Sequence, residues 1–148
     1  MKYVHNMVGA PEILDRLLQI ALLFQQDLAR SFEGTPLTSS RVHLLWIVYL
    51  SGPSTQAALA AALDVTPRNV TGLVDALEVS GYLERRSHPS DRRAVLVALT
   101  ALGEETMATM ARDREQLAAD LVAGMDDERL ARFEDDLATI AGRLQELV

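Results

Sequence analysis

The stretch "TQAALAAALDVTPRNVTGLVDALEVSGYLERRSHPSDRRAVLVALTALG", Thr55 to Gly103, decides how the rest of the chain is read. Two hydrophobic periods follow one another within it. Thr66-Pro67 sets an N-cap before a proline suited to the first helical position. Val70, Leu73, Val74 and Leu77 then recur at i, i+3, i+4 and i+7, one face of a helix. Gly81 ends that helix as a C′ glycine. Upstream, Ser54 is a good N-cap for a short helix over "TQAALAAAL", and two helices joined only by "DV" form a helix-turn-helix unit. Past Gly81 the period changes. "YLERR" and "AVLVALT" are short and rich in β-formers, with turn chemistry in "SHPSD" between them, so a β-hairpin is expected.

The hairpin is also where positive charge collects. "RRSHPSDRR", Arg85 to Arg93, carries four arginines, a histidine and one acid in a chain of net charge −7. The distribution explains more than the sum. Residues 1–40 hold three basic and four acidic groups, residues 41–99 six and five, and residues 100–148 five and twelve. The acidity therefore belongs to the C-terminal third, and the middle of the chain can face a polyanion.

Working outward, Pro11 fits the first turn of a helix running to about Phe32, after an N-terminus expected to fray. Leu14, Leu17, Leu18, Ala21, Phe24 and Leu28 follow helical spacing, and Ile13, Ile20, Leu22 and Leu23 widen the stripe nearly all round. A helix apolar on most faces needs more cover than a small domain provides. Gly34 and Pro36 break it, and Thr38 or Ser39 can cap a second helix through "RVHLLWIVYL" to Leu50, although that run is β-rich in composition. On the far side, Thr100 can cap a long helix from about Ala101 to Ala123. After "GMDDE", Leu130, Phe133, Leu137, Ile140, Leu144 and Leu147 step by 3 and 4 alternately, a heptad seam that calls for a partner helix.

In this order the elements make a mainly α fold with a small β-hairpin wing: a winged helix-turn-helix flanked by N- and C-terminal helices. Its residues resemble the MarR (multiple antibiotic resistance regulator) family of bacterial transcription factors. "VTPRNVTGLVDALE" resembles the family's recognition helix, and "GYLERR" its exit into the wing. "DRR" resembles the family's Asp-x-Arg wing motif, and the "LTALG" of "VLVALTALG" the strand-to-helix junction Leu-Thr-x-x-Gly. The resemblance implies a single domain over 1–148, with a DNA-binding lobe at 37–100 and dimerisation helices at 1–36 and 101–148. Further implied are a homodimeric repressor on a palindromic operator and relief by a small aromatic or anionic molecule.

With the apolar stripe packed inward, Thr66, Pro67, Arg68, Asn69, Thr71, Gly72 and Asp75 lie on the other side of the helix. The N-terminal half of such a helix enters the major groove. Arg68 has the geometry to read guanine and Asn69 to read adenine, while Thr66 and Thr71 suit phosphates or bases. Gly72 is either a tolerated surface glycine or a point of close backbone approach to DNA. By the Asp-x-Arg pattern, Arg93 is the arginine expected in the minor groove, with Asp91 orienting it through a salt bridge. Arg92, Arg86 and Arg85 are expected at phosphates, with His88 joining them when protonated. A bland alternative leaves the wing a solvated loop whose Asp91 caps a turn.

The dimer interface is expected at Leu14, Leu17, Phe24, Phe133, Leu137, Ile140 and Leu144. In the family the effector pocket lies where the lobe meets the dimer helices, which points to Arg41, His43 and Trp46, with Tyr49 nearby. Outside such a pocket, Trp46 reads as a core residue and His43 as a hydrogen-bonded surface or interface histidine.

Other classes fare worse. There is no cysteine, so thiolate metal sites and thiol switches are excluded. His5, His43 and His88 show no ligand spacing, and no nucleophile elbow, phosphate-binding glycine loop or converging carboxylate pair occurs. Neither an enzyme nor a cofactor is expected. The N-terminus lacks a signal-peptide h-region and no apolar run reaches the roughly 18 residues of a membrane span, so a cytoplasmic protein is expected. A dimeric adaptor that binds a protein or sequesters a ligand without touching DNA is the principal rival.

Overall fold

The computed structural model describes residues 8–148; His5 and most of the N-terminus expected to fray lie outside them. The chain divides into two compact units, Met1–Glu104 and Glu105–Val148. The first holds α1 (Ala10–Ser31), α2 (Ser39–Ser51), β1 (Ser54–Thr55), α3 (Gln56–Leu63), α4 (Pro67–Val79), β2 (Leu83–Ser87), β3 (Val95–Leu99) and the opening of α5 (Ala101–Leu121). The second holds the remainder of α5 and α6 (Asp127–Leu147). The fold is a winged helix-turn-helix with flanking helices.

Local chemistry sets the helix ends. Thr38 caps α2 by accepting the Arg41 N–H at 3.3 Å, and Gly52, at φ +79°, closes it. The β-rich composition of α2 is overruled by these caps and by packing, since Val42, Leu45 and Val48 fall on one buried helical stripe, joined by Leu44. Thr66 caps α4 through the Asn69 N–H at 3.3 Å, and Asp64 makes the tight α3–α4 turn in the left-handed region at φ +53°.

Ser54 is not the cap of α3. Thr55 takes that place, accepting the Ala58 N–H at 3.2 Å, while the Ser54 hydroxyl donates to the Gly52 carbonyl. Ser54 and Thr55 instead form a third strand that pairs with Val97 and Leu96. The expected two-stranded hairpin is therefore part of an antiparallel sheet ordered β1-β3-β2, with β3 in the middle. A central strand, covered on both edges, suits the apolar "VLVAL" better than an edge would.

The core of this unit is made by Leu44, Leu45 and Val48 from α2, Leu59 from α3, Val70, Val74 and Leu77 from α4, and Leu83 and Val97 from the sheet. Each such side chain contributes about 1.5–3 kcal/mol on burial. The Leu-Thr-x-x-Gly junction has a steric cause. The Thr100 hydroxyl donates to the Gly81 carbonyl and accepts the Gly103 N–H, drawing the first turn of α5 onto Tyr82. A Cβ on Gly103 would collide with the Tyr82 carbonyl oxygen.

α1 and α6 behave differently. Neither has a single buried residue.

Candidate nucleic-acid interface

With Val70, Val74 and Leu77 inaccessible, the outer face of α4 exposes Pro67, Arg68, Asn69, Thr71, Gly72, Asp75 and Glu78, and Thr66 is exposed at its head. The side chains of Arg68 and Asn69 make no hydrogen bond among the described residues, so their donors and acceptors are available. Thr71 is less free than its position suggests. Its hydroxyl donates to the Pro67 carbonyl at 3.0 Å and accepts from the Gln56 side-chain amide at 3.1 Å. Gln56, at the start of α3, is thus part of this face; only its place at the head of a helix-turn-helix could have signalled it. Around Gly72 an added Cβ would meet nothing within 4 Å, so packing inside the chain does not require glycine there.

The turn between β2 and β3 is closed by its own backbone. The His88 N–H donates to the Ala94 carbonyl, one step beyond the paired strands. Asp91 does not brace Arg93 through a salt bridge. Its carboxylate accepts the Arg93 backbone N–H at 2.9 Å, because an Asp side chain is short enough to close a turn on the amide two residues ahead. This leaves the Arg92 and Arg93 guanidinium groups exposed and outside any ion pair among the described residues. His88 is half-buried, its Nδ1 3.2 Å from both the Ser90 N–H and the Ser90 hydroxyl.

Arg85 departs most from expectation. Its guanidinium spans two carboxylates of α4, with Nη2 on Asp75 at 2.6 Å and Nη1 on Glu78 at 2.9 Å. The hydrogen bond it donates to Asp75 raises its pKa above the ordinary arginine value; partial burial opposes this and Glu78 reinforces it. Its side chain is 27% exposed, against 52% for Arg86. Asp75 and Glu78, three residues apart, share one helix face and so converge on one strand residue. Arg86 lies on the other side of the strand and pairs with Glu84, two residues back on its own face. Of the two arginines expected at phosphates, Arg85 is thus engaged within the protein and Arg86 is loosely paired.

The expected effector trio, Arg41, His43 and Trp46, all lie on α2. The Arg41 guanidinium donates to the Pro36 carbonyl. His43, two residues on, is exposed. Trp46 meets Tyr49 edge to face at 5.7 Å. The shallow depression between the end of α1 and the start of α2 is lined by Phe32, Glu33, Leu37 and Thr38, and includes none of the three.

The apolar positions of the flanking helices are open. Leu14 is 56% and Leu144 58% exposed; Phe24, Phe133 and Leu137 are exposed as well, and Leu17 and Ile140 half-buried. Among the described residues no helix is long and apolar enough to cross a membrane.

Comparison with known proteins gives a consistent picture. The family model described as "MarR family" matches residues 37–95. The "Uncharacterized HTH-type transcriptional regulator YhbI" of Bacillus subtilis (strain 168) is 32% identical over 115 residues, 78% of this chain and 72% of that protein. Among solved structures, RV1404 from Mycobacterium tuberculosis superimposes with a TM-score of 0.73 at 26% identity, covering 91% of this chain and 94% of that one. Streptococcus pneumoniae FabT, crystallised in complex with DNA, shares the fold with a TM-score of 0.78 at 23% identity, covering 95% and 100%.

Proposed function

The chain belongs to the MarR family, and on that premise we propose that it is a sequence-specific DNA-binding transcription regulator, a repressor acting as a homodimer on a palindromic operator. The observation that carries this reading is a set of exposed, uncommitted side chains on α4 and on the hairpin. Arg68 and Asn69 stand uncommitted at the N-terminal end of α4, and Arg92 and Arg93 stand unpaired at the tip of the hairpin. A helix end of this kind reads base edges in the major groove, and an arginine-tipped wing reaches the adjacent minor groove. The roles follow: Arg68 and Asn69 for bases, Thr66 for phosphates or bases, Arg93 for the minor groove, Arg92, Arg86 and His88 for phosphates. FabT, which shares the fold, is a DNA-bound example of it.

Dimerisation is supported by the open apolar faces of α1 and α6, which a second copy would cover. Half-sites about one helical turn apart then follow from two-fold symmetry. Relief by a small aromatic or anionic effector rests on the family alone, as does its placement at Arg41, His43 and Trp46.

A DNA-free adaptor draws support from one feature: α4 carries a single basic residue, Arg68, against Asp75 and Glu78. Fluorescence anisotropy on duplexes flanking the gene separates the two readings. Tight binding that weakens steeply with salt, lost broadly in Arg93→Ala and with sequence preference in Arg68→Ala, is the expected outcome. Failure to select any duplex from genomic DNA at low salt would sink the regulator and leave the adaptor.

A further inference from the structure

We infer that Arg85 is a positioning residue for the DNA-binding face: it clamps the root of the hairpin to α4 and masks Asp75 and Glu78, so that Arg68 and Asn69 meet a polyanion without repulsion from their own helix. The inference rests on the DNA-binding reading above and assigns a different role to an arginine that sequence pattern alone would place at a phosphate.

Asp75 lies two turns beyond Arg68 on the same exposed face, with Gly72 between them. At about 1.5 Å per residue the separation along the axis is roughly 10 Å. That is close to the Debye length of about 10 Å at 0.1 M salt, so a bare carboxylate there acts on any phosphate approaching Arg68. Glu78 adds a second charge one turn further on. Unmasked, the helix would present one cation and two anions to DNA.

Arg85 answers both acids at once. Each terminal nitrogen of its guanidinium holds a different carboxylate, at 2.6 Å and 2.9 Å, which uses the planar fork in a way an ammonium cannot reproduce. The same pair of contacts ties β2 to α4 across ten and seven residues of sequence. Helix and wing root are thereby held in one arrangement before DNA arrives, which lowers the ordering cost of binding. A phosphate ligand would instead keep its guanidinium turned to solvent, as Arg92 and Arg93 do.

The test is a cycle on a selected operator duplex, measured by anisotropy across a salt series. Arg85→Ala alone is expected to weaken binding about ten- to a hundredfold at low salt. In the Asp75→Asn/Glu78→Gln background the same change should cost less than about threefold, because there is nothing left to mask. Arg85→Lys should recover only part of the affinity. An equal loss in both backgrounds, with the slope reduced by about 0.9, would identify a phosphate contact and overturn the proposal.

A DNA-free arm uses arginine-selective nitrogen NMR on the full chain. Arg85 should show hindered guanidinium rotation that disappears in Asp75→Asn/Glu78→Gln. Freely rotating Arg85 signals in the wild type would remove the clamp irrespective of any DNA result. Should the wild type bind no duplex at all while the NMR signature is present, the clamp stands as structure, and the masking role falls together with the DNA-binding reading.

Discussion

α4 and α6 carry the same kind of apolar pattern and meet opposite fates. Val70, Val74 and Leu77 on α4 are completely buried within the chain, whereas Phe133, Leu137 and Leu144 on α6 remain exposed. Helical spacing states only that a face must be covered; it does not state by what. α4 finds α2, α3 and the sheet within the same unit. Under the proposed dimer α6 finds a second copy, as does α1, whose exposed face includes Leu14, Leu18 and Phe24. Under that proposal one stripe is a core and the other an interface.

The largest effect expected from breaking that contrast lies in assembly. Leu14→Glu combined with Leu137→Glu should shift sedimentation equilibrium from dimer to monomer. Operator affinity should then fall about 10²–10⁴-fold, since each half-site must be bound without help from a tethered partner. Unchanged mass in the ultracentrifuge would mean that α1 and α6 are covered in some other way.

A pair of truncations sharpens the comparison. Leu77→Ala should lose about 2–5 kcal/mol in denaturant unfolding, because the cavity it leaves sits amid a packed core. Leu144→Ala, at a side chain 58% exposed in the single chain, should cost little at low protein concentration and show its effect only as weaker self-association. Equal, concentration-independent losses at both positions would place α6 in an intramolecular core.

The smallest effect separates folding from function within α4. Gly72→Ala should stabilise the chain by roughly 1 kcal/mol, as expected for an open helical glycine replaced by alanine. If the backbone there approaches DNA closely, operator affinity should drop at the same time. A stabilised variant that binds DNA as well as the wild type would make Gly72 an ordinary surface residue.

Much of this architecture was legible in the sequence because its signals are local. A capping threonine followed by proline, a four-residue apolar period, a stopping glycine and a β-rich hairpin each act over one or two turns of chain. The Leu-Thr-x-x-Gly junction was legible as a pattern, but its reason, the approach of α5 to the Tyr82 carbonyl, appears only when the sheet and helix meet. β1 escaped because a two-residue strand has no period to detect; only its pairing with Val97 and Leu96 defines it.

The candidate site divides along the same line. Which residues are outward on α4 was set by the inward spacing of Val70, Val74 and Leu77, and the hairpin arginines were visible as a charge cluster in an acidic chain. Sequence could count those arginines but not distinguish them. Arg85 and Arg93 are alike in type and flank the same turn, yet one is bound to Asp75 and Glu78 and the other is unpaired. Likewise Asp91 serves its turn through a backbone amide, and Thr71 is committed to Pro67 and Gln56.

What the sequence by itself determined, then, is the order of the helices and the hairpin, the winged helix-turn-helix and the face that points outward, all consequences of short-range backbone and hydrophobic preferences. The tertiary structure alone decided which charges are spent and which are available, because an ion pair or hydrogen bond a few ångströms long depends on the packing of residues far apart in the chain.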